Sequence, residues 1–267
     1  LDRFMPKEVL HVLAEENVTV FCGVPSMFSL MLKLRRTLPF PRLRYAFSGG
    51  DSIPAEQLRE FEKKFNIPVI EGYGLSEASP LVSLNPIEGL RKVKSIGIPL
   101  PGIEVRTVDE KDLDVPPGEV GELIVKGPNV MKGYFNRKDE TEAALKGNWL
   151  HTGDLALRDP ENYIFLVGRK KELIITAGLN VYPREVEEAL AEHPSVAEAA
   201  VIGVSHPVKG EVIKAYLRPE EGQTLDKQDL LRFLRNRLAG YKIPETFVFT
   251  GDLPRGASGK ILKRLLE

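Results

Sequence analysis

The chain contains 267 residues, of which 42% are apolar and 28% are charged, a composition typical of globular domains. Its formal net charge is −1, from 37 basic and 38 acidic side chains, so no excess of either sign favours nucleic acid as a partner. The single cysteine, Cys22, cannot form an internal disulfide. No apolar run approaches the roughly 18 residues that span a bilayer. We therefore expect a cytoplasmic protein that does not bind nucleic acid.

The first third of the chain alternates helix and strand patterns. Apolar residues at helical spacing predict helices over 6–16 and 54–65. Short apolar runs predict strands over 18–24 and 67–74, and a strand that runs into a glycine turn over 43–51. This alternation indicates α/β layering, in which loops at the carboxyl ends of the strands are the usual ligand site.

From about residue 93 the pattern becomes that of a small antiparallel β unit, which we assign to residues 93–167. Residues 102–127 contain two strand patterns around a polar, proline-containing turn. Residues 134–145 predict a short helix. Residues 155–170 predict a hairpin, because Asp, Pro and Asn at its centre suit a turn.

The last third predicts a compact α+β module. Strands are expected over 173–176, 196–204 and 212–219, and helices over 183–193 and 226–240. No low-complexity segment or internal repeat interrupts the chain.

Two domains follow from these patterns. Residues 1–170 combine an α/β layer with the small β unit, and residues 171–267 form the α+β domain. The predicted fold class is therefore α/β followed by α+β.

Lys260 stands near the end of the chain, after the small-residue loop 256–259 and before the basic, apolar stretch 261–266, for which we predict a helix. A nucleotide phosphate loop requires G-x-x-x-x-G-K-[ST], but Pro254 and Ile261 occupy the first glycine and the hydroxyl positions. Alone, Lys260 is typical of a solvated lysine. A functional interpretation requires anionic chemistry elsewhere that its ammonium can reach.

Ser76 and Glu77 follow a predicted strand in a tight loop. The hydroxyl could hold a phosphate oxygen and the carboxylate a Mg²⁺ ion, which prefers hard oxygen ligands. Equally, Ser76 could cap a helix while Glu77 favours its positive end. The spacing does not separate the two interpretations.

Three further stretches are open to two interpretations each. Asp154, after Thr-Gly, is either a turn aspartate or an acceptor for the vicinal hydroxyls of a ribose. The basic run 169–171 is either a solvated linker or functional, and Gly49–Gly50 is either a turn or a surface for a flat ring. The four histidines lack metal-ligand spacing and no G-x-S-x-G elbow occurs, so we set aside metallohydrolase and acyl-serine chemistry.

Taken in order, six stretches resemble the motif series of the acyl-adenylate-forming, or AMP-binding, enzymes. This superfamily contains acyl-CoA synthetases, luciferases and peptide-synthetase adenylation domains. The resemblance runs over nearly the whole chain, and residues 71–86 are most similar to bacterial long-chain fatty acid–CoA ligases. The stretches are SGGD, YGLSEASP, GELIVKGPNVMKGYFN, WLHTGDL, GRKKELIITAGLNVYPREVEEAL and LPRGASGKILKRLL.

The resemblance implies that residues 1–170 are the C-terminal part of the large adenylate-forming domain, and that 171–267 are its small mobile domain. It implies a two-step reaction on small-molecule substrates. A fatty acid carboxylate attacks the α-phosphorus of ATP to give acyl-AMP, and the thiol of coenzyme A then displaces AMP. Mg²⁺ is the implied metal ion.

The resemblance also implies the residues that contact the nucleoside. The glycines lie along the adenine with the tyrosine nearby, and the aspartate takes the ribose hydroxyls with help from the arginine. These residues are Gly49, Gly50, Gly72, Tyr73, Asp154 and Arg169.

The remaining implied roles concern phosphates, metal and domain movement. Ser76 binds phosphate and Glu77 holds Mg²⁺. Lys171 matches the hinge position, the Gly178 loop faces the coenzyme A channel, and Lys260 reaches the carboxylate and the α-phosphate during adenylation.

Some features depart from the family pattern. Ser76 stands where threonine is usual, and the phosphate loop that ends in Pro-Lys-Gly is expected upstream of Leu1, inside a protein roughly twice this length. Two alternatives therefore stay open: a chain that binds nucleotide or coenzyme A without turnover, and a ligase for an aryl or amino acid. Oligomeric state and transient peripheral membrane contact also stay open.

Overall fold

A computed structural model describes residues 4–35, 38–256 and 259–266. The chain forms two compact units, Leu1–Leu166 and Val167–Glu267. Residues 257 and 258, in the loop predicted before Lys260, lie outside the described residues, as does Leu1. The two units are described separately below.

The first unit opens with alternating helices and strands, as the sequence predicts. The three strands pair in parallel, so their carboxyl ends lie at one edge of the sheet. The elements are α1 (Pro6–Glu15), β1 (Val20–Gly23), α2 (Pro25–Leu32), β2 (Tyr45–Ser48), α3 (Ala55–Phe65) and β3 (Val69–Gly74).

Helix α3 shows why these helices form. Leu58, Phe61 and Phe65 recur at helical spacing and are all buried, while charged residues cover the opposite face. The ring of Phe61 packs edge-on against Phe28 of α2, with 4.7 Å between centroids. Asn66 ends the helix in the left-handed conformation, at φ 54°.

Two antiparallel strands extend this sheet, which has the order β1-β2-β3-β4-β5. They are β4 (Leu81–Leu84) and β5 (Ile98–Pro99), and a 3-10 turn at Ser76–Ala78 connects β3 to β4.

The predicted β unit forms a second sheet with the order β10-β9-β7-β6, in which β8 also pairs with β9. Leu123, Leu150 and Ile164 are buried between its strands and the first sheet's Val82. The elements are β6 (Glu104–Val108), β7 (Gly121–Lys126), α4 (Lys138–Ala144), β8 (Leu145–Lys146), β9 (Trp149–Arg158) and β10 (Ile164–Arg169).

The second unit is the expected α+β module, with a sheet of order β12-β11-β14-β13 and β15 paired to β14. Its core joins both helices to the sheet through Leu190, Val201 and Leu234, among others. The elements are β11 (Ile174–Thr176), β12 (Leu179–Val181), α5 (Pro183–Ala191), β13 (Val196–His206), β14 (Gly210–Pro219), α6 (Lys227–Arg235) and β15 (Thr246–Phe249).

The helix predicted after Lys260 is wrong, because the segment contains only a single 3-10 turn at Lys263–Leu265. The amide of Leu262 bonds instead to the carbonyl of Pro254 at 2.7 Å, so this backbone is used in a hairpin. Ile261 and Leu266 pack beside Leu253 in a small apolar cluster. Short isolated helices are marginal, and these tertiary contacts decide the conformation.

Among the described residues, none of the helices combines the length and the apolar character that crossing a bilayer requires.

We expect the substitution Leu190→Ala to lower the free energy of unfolding by about 2–5 kcal/mol, because it opens a cavity in a close-packed core. Leu190 is fully buried, whereas Leu265 is 60% exposed and supplies a control with the same change. Leu265→Ala should change stability by no more than about 0.5 kcal/mol. Urea denaturation followed by circular dichroism measures both values, and similar losses for the two variants would contradict the assigned core.

Candidate functional site

The loop after β2 carries the first candidate residues, Gly49 and Gly50. Gly50 has φ +81°, a conformation that favours glycine. The amide of Gly49 donates to the carbonyl of Gly23 on β1 at 3.2 Å, which fixes the loop to the sheet edge. A Cβ added at Gly49 would meet only the carbonyl oxygen of Gly72, at 3.9 Å. The space above Gly49 is therefore open, as a flat ring would require.

Tyr73 and Asp154 are brought together from the two sheets of the first unit. The Tyr73 hydroxyl on β3 donates to Oδ2 of Asp154 on β9 at 2.5 Å. Both side chains are buried, Asp154 with 4% of its surface exposed. A buried carboxylate requires such hydrogen bonds, since it has lost most of its water. The two candidates, 81 residues apart in the chain, thus form one unit.

A bulge in β9 orients Asp154. The register between β7 and β9 shifts between Glu122 and Ile124, where Gly153 adopts φ +71°. The Thr152 hydroxyl donates to the carbonyl of Leu123 at 2.6 Å and accepts from the Asp154 amide at 3.0 Å.

The buried Glu122 carboxylate supports the same bulge. It accepts a hydrogen bond from the Gly153 amide at 3.2 Å, and the His151 imidazole lies 3.4 Å from its second oxygen. The Thr-Gly-Asp motif therefore has a structural reason for each residue. The Thr152 hydroxyl anchors the bulge to β7, and Gly153 permits its positive φ. Asp154 is thereby directed toward the Tyr73 hydroxyl.

Ser76 and Glu77 lie in the 3-10 turn that follows β3. The turn is preceded by Leu75, and no side chain caps it, so Ser76 does not act as the cap that the sequence left open. The Ser76 side chain is exposed and Glu77 is half-buried. The amide of Leu75 closes the loop by donating to the carbonyl of Pro80 at 2.8 Å.

Residues 129–134, between β7 and α4, hold this turn by hydrogen bonds. The sequence did not predict these contacts. The Tyr134 hydroxyl donates to Oε1 of Glu77 at 2.9 Å, and the Met131 amide donates to the Glu77 carbonyl at 2.8 Å. Nδ2 of Asn129 donates to the carbonyl of Ala78 at 2.8 Å. Burial, and then the hydrogen bond to Glu77, raises the pKa of Tyr134 above its ordinary value. The signal that could have found these residues was the motif GPNVMKGYFN itself.

Glu77 was tested as a ligand for Mg²⁺. The described part of the chain contains no group of three His, Cys, Asp or Glu side chains that could hold a metal ion. A single carboxylate beside an exposed hydroxyl fits a magnesium ion that is bound mainly by substrate phosphates and water. Glu77 therefore suits a shared site and not an all-protein cage.

The other candidates belong to the second unit. Arg169 ends β10, and Lys171 lies in the 3-10 turn Lys170–Glu172; both side chains are exposed. Gly178 and Ala177, at φ 78° and 50°, form the two-residue turn between β11 and β12. Positive φ at both positions defines a type I′ hairpin turn.

Lys260 is exposed in a small hairpin, next to Ile261. Arg255 and Ile261 pair across it in an antiparallel bridge. The Gly256 amide donates to the Lys260 carbonyl at 2.9 Å, and Gly259 adopts φ +81°. The candidates thus fall into two sets: Gly49, Gly50, Gly72, Tyr73, Ser76, Glu77 and Asp154 on the first unit, and the exposed Arg169, Lys171, Gly178 and Lys260 on the second.

Comparison with known proteins gives the class. ATP-bound MatB from Rhodopseudomonas palustris matches the whole chain with a TM-score of 0.94 at 36% identity, and the match covers 53% of that protein. The fold is therefore that of the adenylate-forming enzymes, as the motif series predicts.

The chain belongs to the AMP-binding enzyme family. The family model matches residues 1–135, and the model of the AMP-binding enzyme C-terminal domain matches residues 185–260.

Two relatives show how far the family relationship reaches. A long-chain-fatty-acid–CoA ligase of Bacillus subtilis is 41% identical over 269 residues, which is 100% of this chain and 48% of the relative. A feruloyl-CoA synthase of an Amycolatopsis species is 41% identical over 263 residues, 97% of this chain and 53% of the relative. The chain spans about half the length of the curated relatives that it matches.

The two loop glycines Gly49 and Gly74 should respond differently to alanine. A Cβ at Gly74 would lie 1.9 Å from the Pro80 carbonyl oxygen, so backbone must move, whereas Gly49 has space. We expect Gly74→Ala to lower the free energy of unfolding by about 1–3 kcal/mol or more. Gly49→Ala should change it by less than about 0.5 kcal/mol. Thermal unfolding of both variants measures this, and equal stability of Gly74→Ala and the unaltered protein would contradict the loop geometry.

Proposed function

We propose that the protein activates a long-chain fatty acid with ATP and transfers it to coenzyme A, and that this chain carries the C-terminal half of the machinery. The observation that carries the proposal is the 41% identity, over all of the chain, to a long-chain-fatty-acid–CoA ligase. The hydrogen bond between Tyr73 and Asp154 and the exposure of Ser76 and Lys260 support it.

The first step forms acyl-AMP. A carboxylate oxygen of the acid attacks the α-phosphorus of ATP, a new P–O bond forms, and the bond to pyrophosphate breaks. Asp154, held by Tyr73, would accept hydrogen bonds from the ribose hydroxyls, with Arg169 assisting. The open surface at Gly49 and Gly50 would lie along the adenine, next to Gly72.

Phosphate chemistry would fall to the turn after β3 and to Lys260. The exposed Ser76 hydroxyl would bind a phosphate oxygen, and Glu77, held by Tyr134, would take part in binding Mg²⁺. The metal ion would neutralise part of the negative charge of the phosphates. The Lys260 ammonium is a compact cation suited to offset the charge that grows on the α-phosphate as the carboxylate attacks.

The second step forms the thioester. The thiol sulfur of coenzyme A attacks the acyl carbonyl carbon, the bond to AMP breaks, and the thiol proton is lost. Lys171 is proposed as the hinge about which the second unit turns between the steps, so that Lys260 leaves and the Gly178 turn faces the thiol. Both Lys171 and the Gly178 turn are exposed, which such movement needs.

We expect Lys260→Ala, made in the intact enzyme, to lower the rate of acyl-AMP formation by roughly 10²- to 10³-fold, because a preorganised cation at the transition state is lost. Thioester formation from supplied acyl-AMP should be largely unchanged. Pyrophosphate release and thioester formation, assayed separately, measure the two half-reactions.

Lys227→Ala removes another exposed lysine of the same unit and should leave both half-reactions unchanged. Equal loss of both half-reactions in Lys260→Ala would refute the proposed role of this lysine.

An aryl acid is the second candidate substrate, because the feruloyl-CoA synthase is as similar to the chain, at 41% identity, as the fatty acid ligase. Saturated acids of increasing chain length and hydroxycinnamic acids, tested on the intact enzyme, separate the two. We expect kcat/KM to rise with chain length, since each buried methylene adds about 0.8 kcal/mol. A preference for the aryl acids would replace the fatty acid in the proposal and leave the two-step reaction intact.

A further inference from the structure

The hairpin that carries Lys260 is held at both ends by ion pairs. Arg255 precedes the lysine by five positions and Lys263 follows it by three. Arg255 and Ile261, on the two sides of Lys260, pair in an isolated antiparallel bridge. The hairpin is small and rich in glycine, so its own backbone bonds fix its position only weakly. Its attachment to the rest of the second unit decides where the Lys260 ammonium points.

The first attachment is a carboxylate between two guanidinium groups. Glu198, on β13, accepts from the Arg255 guanidinium and, through Oε2, from Nε of Arg218 at 2.9 Å. Arg255 also donates to the carbonyl of Gly259 at 2.8 Å, which closes the hairpin from inside. Burial alone would raise the pKa of Glu198, but the two arginines outweigh it and hold the pKa below its ordinary value. Glu198 therefore accepts these hydrogen bonds as a carboxylate at neutral pH.

The second attachment is an ammonium shared by two carboxylates. Nζ of Lys263 lies 2.7 Å from Oε1 of Glu187 on α5 and 3.1 Å from Oε2 of Glu172. Both Lys263 and Glu187 are largely buried, with 22% and 19% of their side chains exposed. Burial lowers the pKa of Lys263, but the two carboxylates outweigh it and raise the pKa above its ordinary value.

Glu187 is itself fixed, because its Oε1 also accepts from the amide of Val201 on β13 at 2.7 Å. Lys263 is thus bound to helix and sheet through one carboxylate.

The other carboxylate leads to the proposed hinge. Glu172 belongs to the 3-10 turn Lys170–Glu172, and Lys171 is its neighbour. The Lys263 ammonium therefore connects three segments that are distant in sequence: the Lys260 hairpin, helix α5 and the turn at the start of the second unit. The contact between Lys263 and Glu172 spans 91 residues of chain.

We propose that Lys263 is a positioning residue for adenylation: by pairing with Glu187 and Glu172, it fixes the Lys260 hairpin to the hinge turn. This inference rests on the proposed function, and it adds a residue to which that function assigns no role. Lys263 does not reach the substrates; it sets the geometry with which Lys260 does. Catalytic groups require such support, because an error of about 1 Å in placement can cost roughly 100-fold in rate.

The test compares Lys263→Met and Lys263→Arg in the intact enzyme. Methionine keeps most of the length of the side chain and removes the charge, whereas arginine keeps the cation. We expect Lys263→Met to lower kcat of acyl-AMP formation by roughly 10- to 100-fold, with little change in the KM for ATP. Thioester formation from supplied acyl-AMP should be unchanged. Lys263→Arg should restore most of the adenylation rate.

Lys242→Met is the matched control. Nζ of Lys242 lies 2.7 Å from Glu185, also on α5, and 19% of the lysine side chain is exposed, so the lysine is comparable in distance and exposure, while Glu185 is 39% exposed against 19% for Glu187. Among the described residues, its ion pair is with Glu185. We expect Lys242→Met to lower the thermal midpoint, while the ratio of the two half-reaction rates stays at its original value.

The double substitution Lys263→Met with Glu187→Gln separates stability from positioning. It removes the buried carboxylate that Lys263→Met leaves without its cation, and the glutamine oxygen can still accept from Val201. Stability should recover, and the adenylation rate should stay low. Recovery of adenylation together with stability would overturn the positioning role.

Two failures are distinguishable. If Lys260→Ala slows both half-reactions equally, the proposed role of Lys260, on which the inference rests, is wrong. If Lys260→Ala separates them but Lys263→Met slows both equally, or slows neither, the function stands and the role of Lys263 is refuted.

Discussion

The hydrogen bond of 2.5 Å between the Tyr73 hydroxyl and Asp154 is the contact on which the first unit's candidate site depends. It joins β3 of the parallel sheet to β9 of the β unit, beside the register shift at Gly153. A carboxylate that is 4% exposed is stable only with hydrogen-bond partners around it. The tyrosine, the Thr152 anchor and the aspartate are therefore one cooperative arrangement.

In the second unit, ion pairs fix the position of the segment that carries Lys260. Its proposed catalytic lysine stands on an exposed hairpin, which cannot be fixed by burying the lysine without losing the function of the ammonium. Arg255 and Lys263 supply the attachment instead, one on each side, and each reaches a carboxylate on the sheet or on α5. Partly buried ion pairs of this kind are directional, so they define position better than apolar contacts do.

Particular elements show where sequence reasoning succeeds and fails. Helix α3 was predictable because Leu58, Phe61 and Phe65 repeat at helical spacing. The short helix α2 was missed because its residues, PSMFSLML, lack a charged face. The helix expected after Lys260 was wrong because the backbone there pairs with Pro254 and Arg255, which no local pattern reveals. Asn129 and Tyr134 were missed as supports of the turn Ser76–Ala78 because tertiary contacts across 51 and 57 residues of chain bring them there.

The sequence by itself determined most helices and strands and the family, because periodicity and ordered motifs are local properties that can be read without a structure. It left open whether Ser76 caps a helix and whether Asp154 is an ordinary turn residue. Only the tertiary structure decided that Ser76 is exposed and does not cap the turn, and that Asp154 is buried against Tyr73. It also decided that Lys263 links α5 to the turn at Glu172. The physical reason is that hydrogen bonds and ion pairs between distant segments depend on how the sheets and helices pack, which no stretch of chain encodes alone.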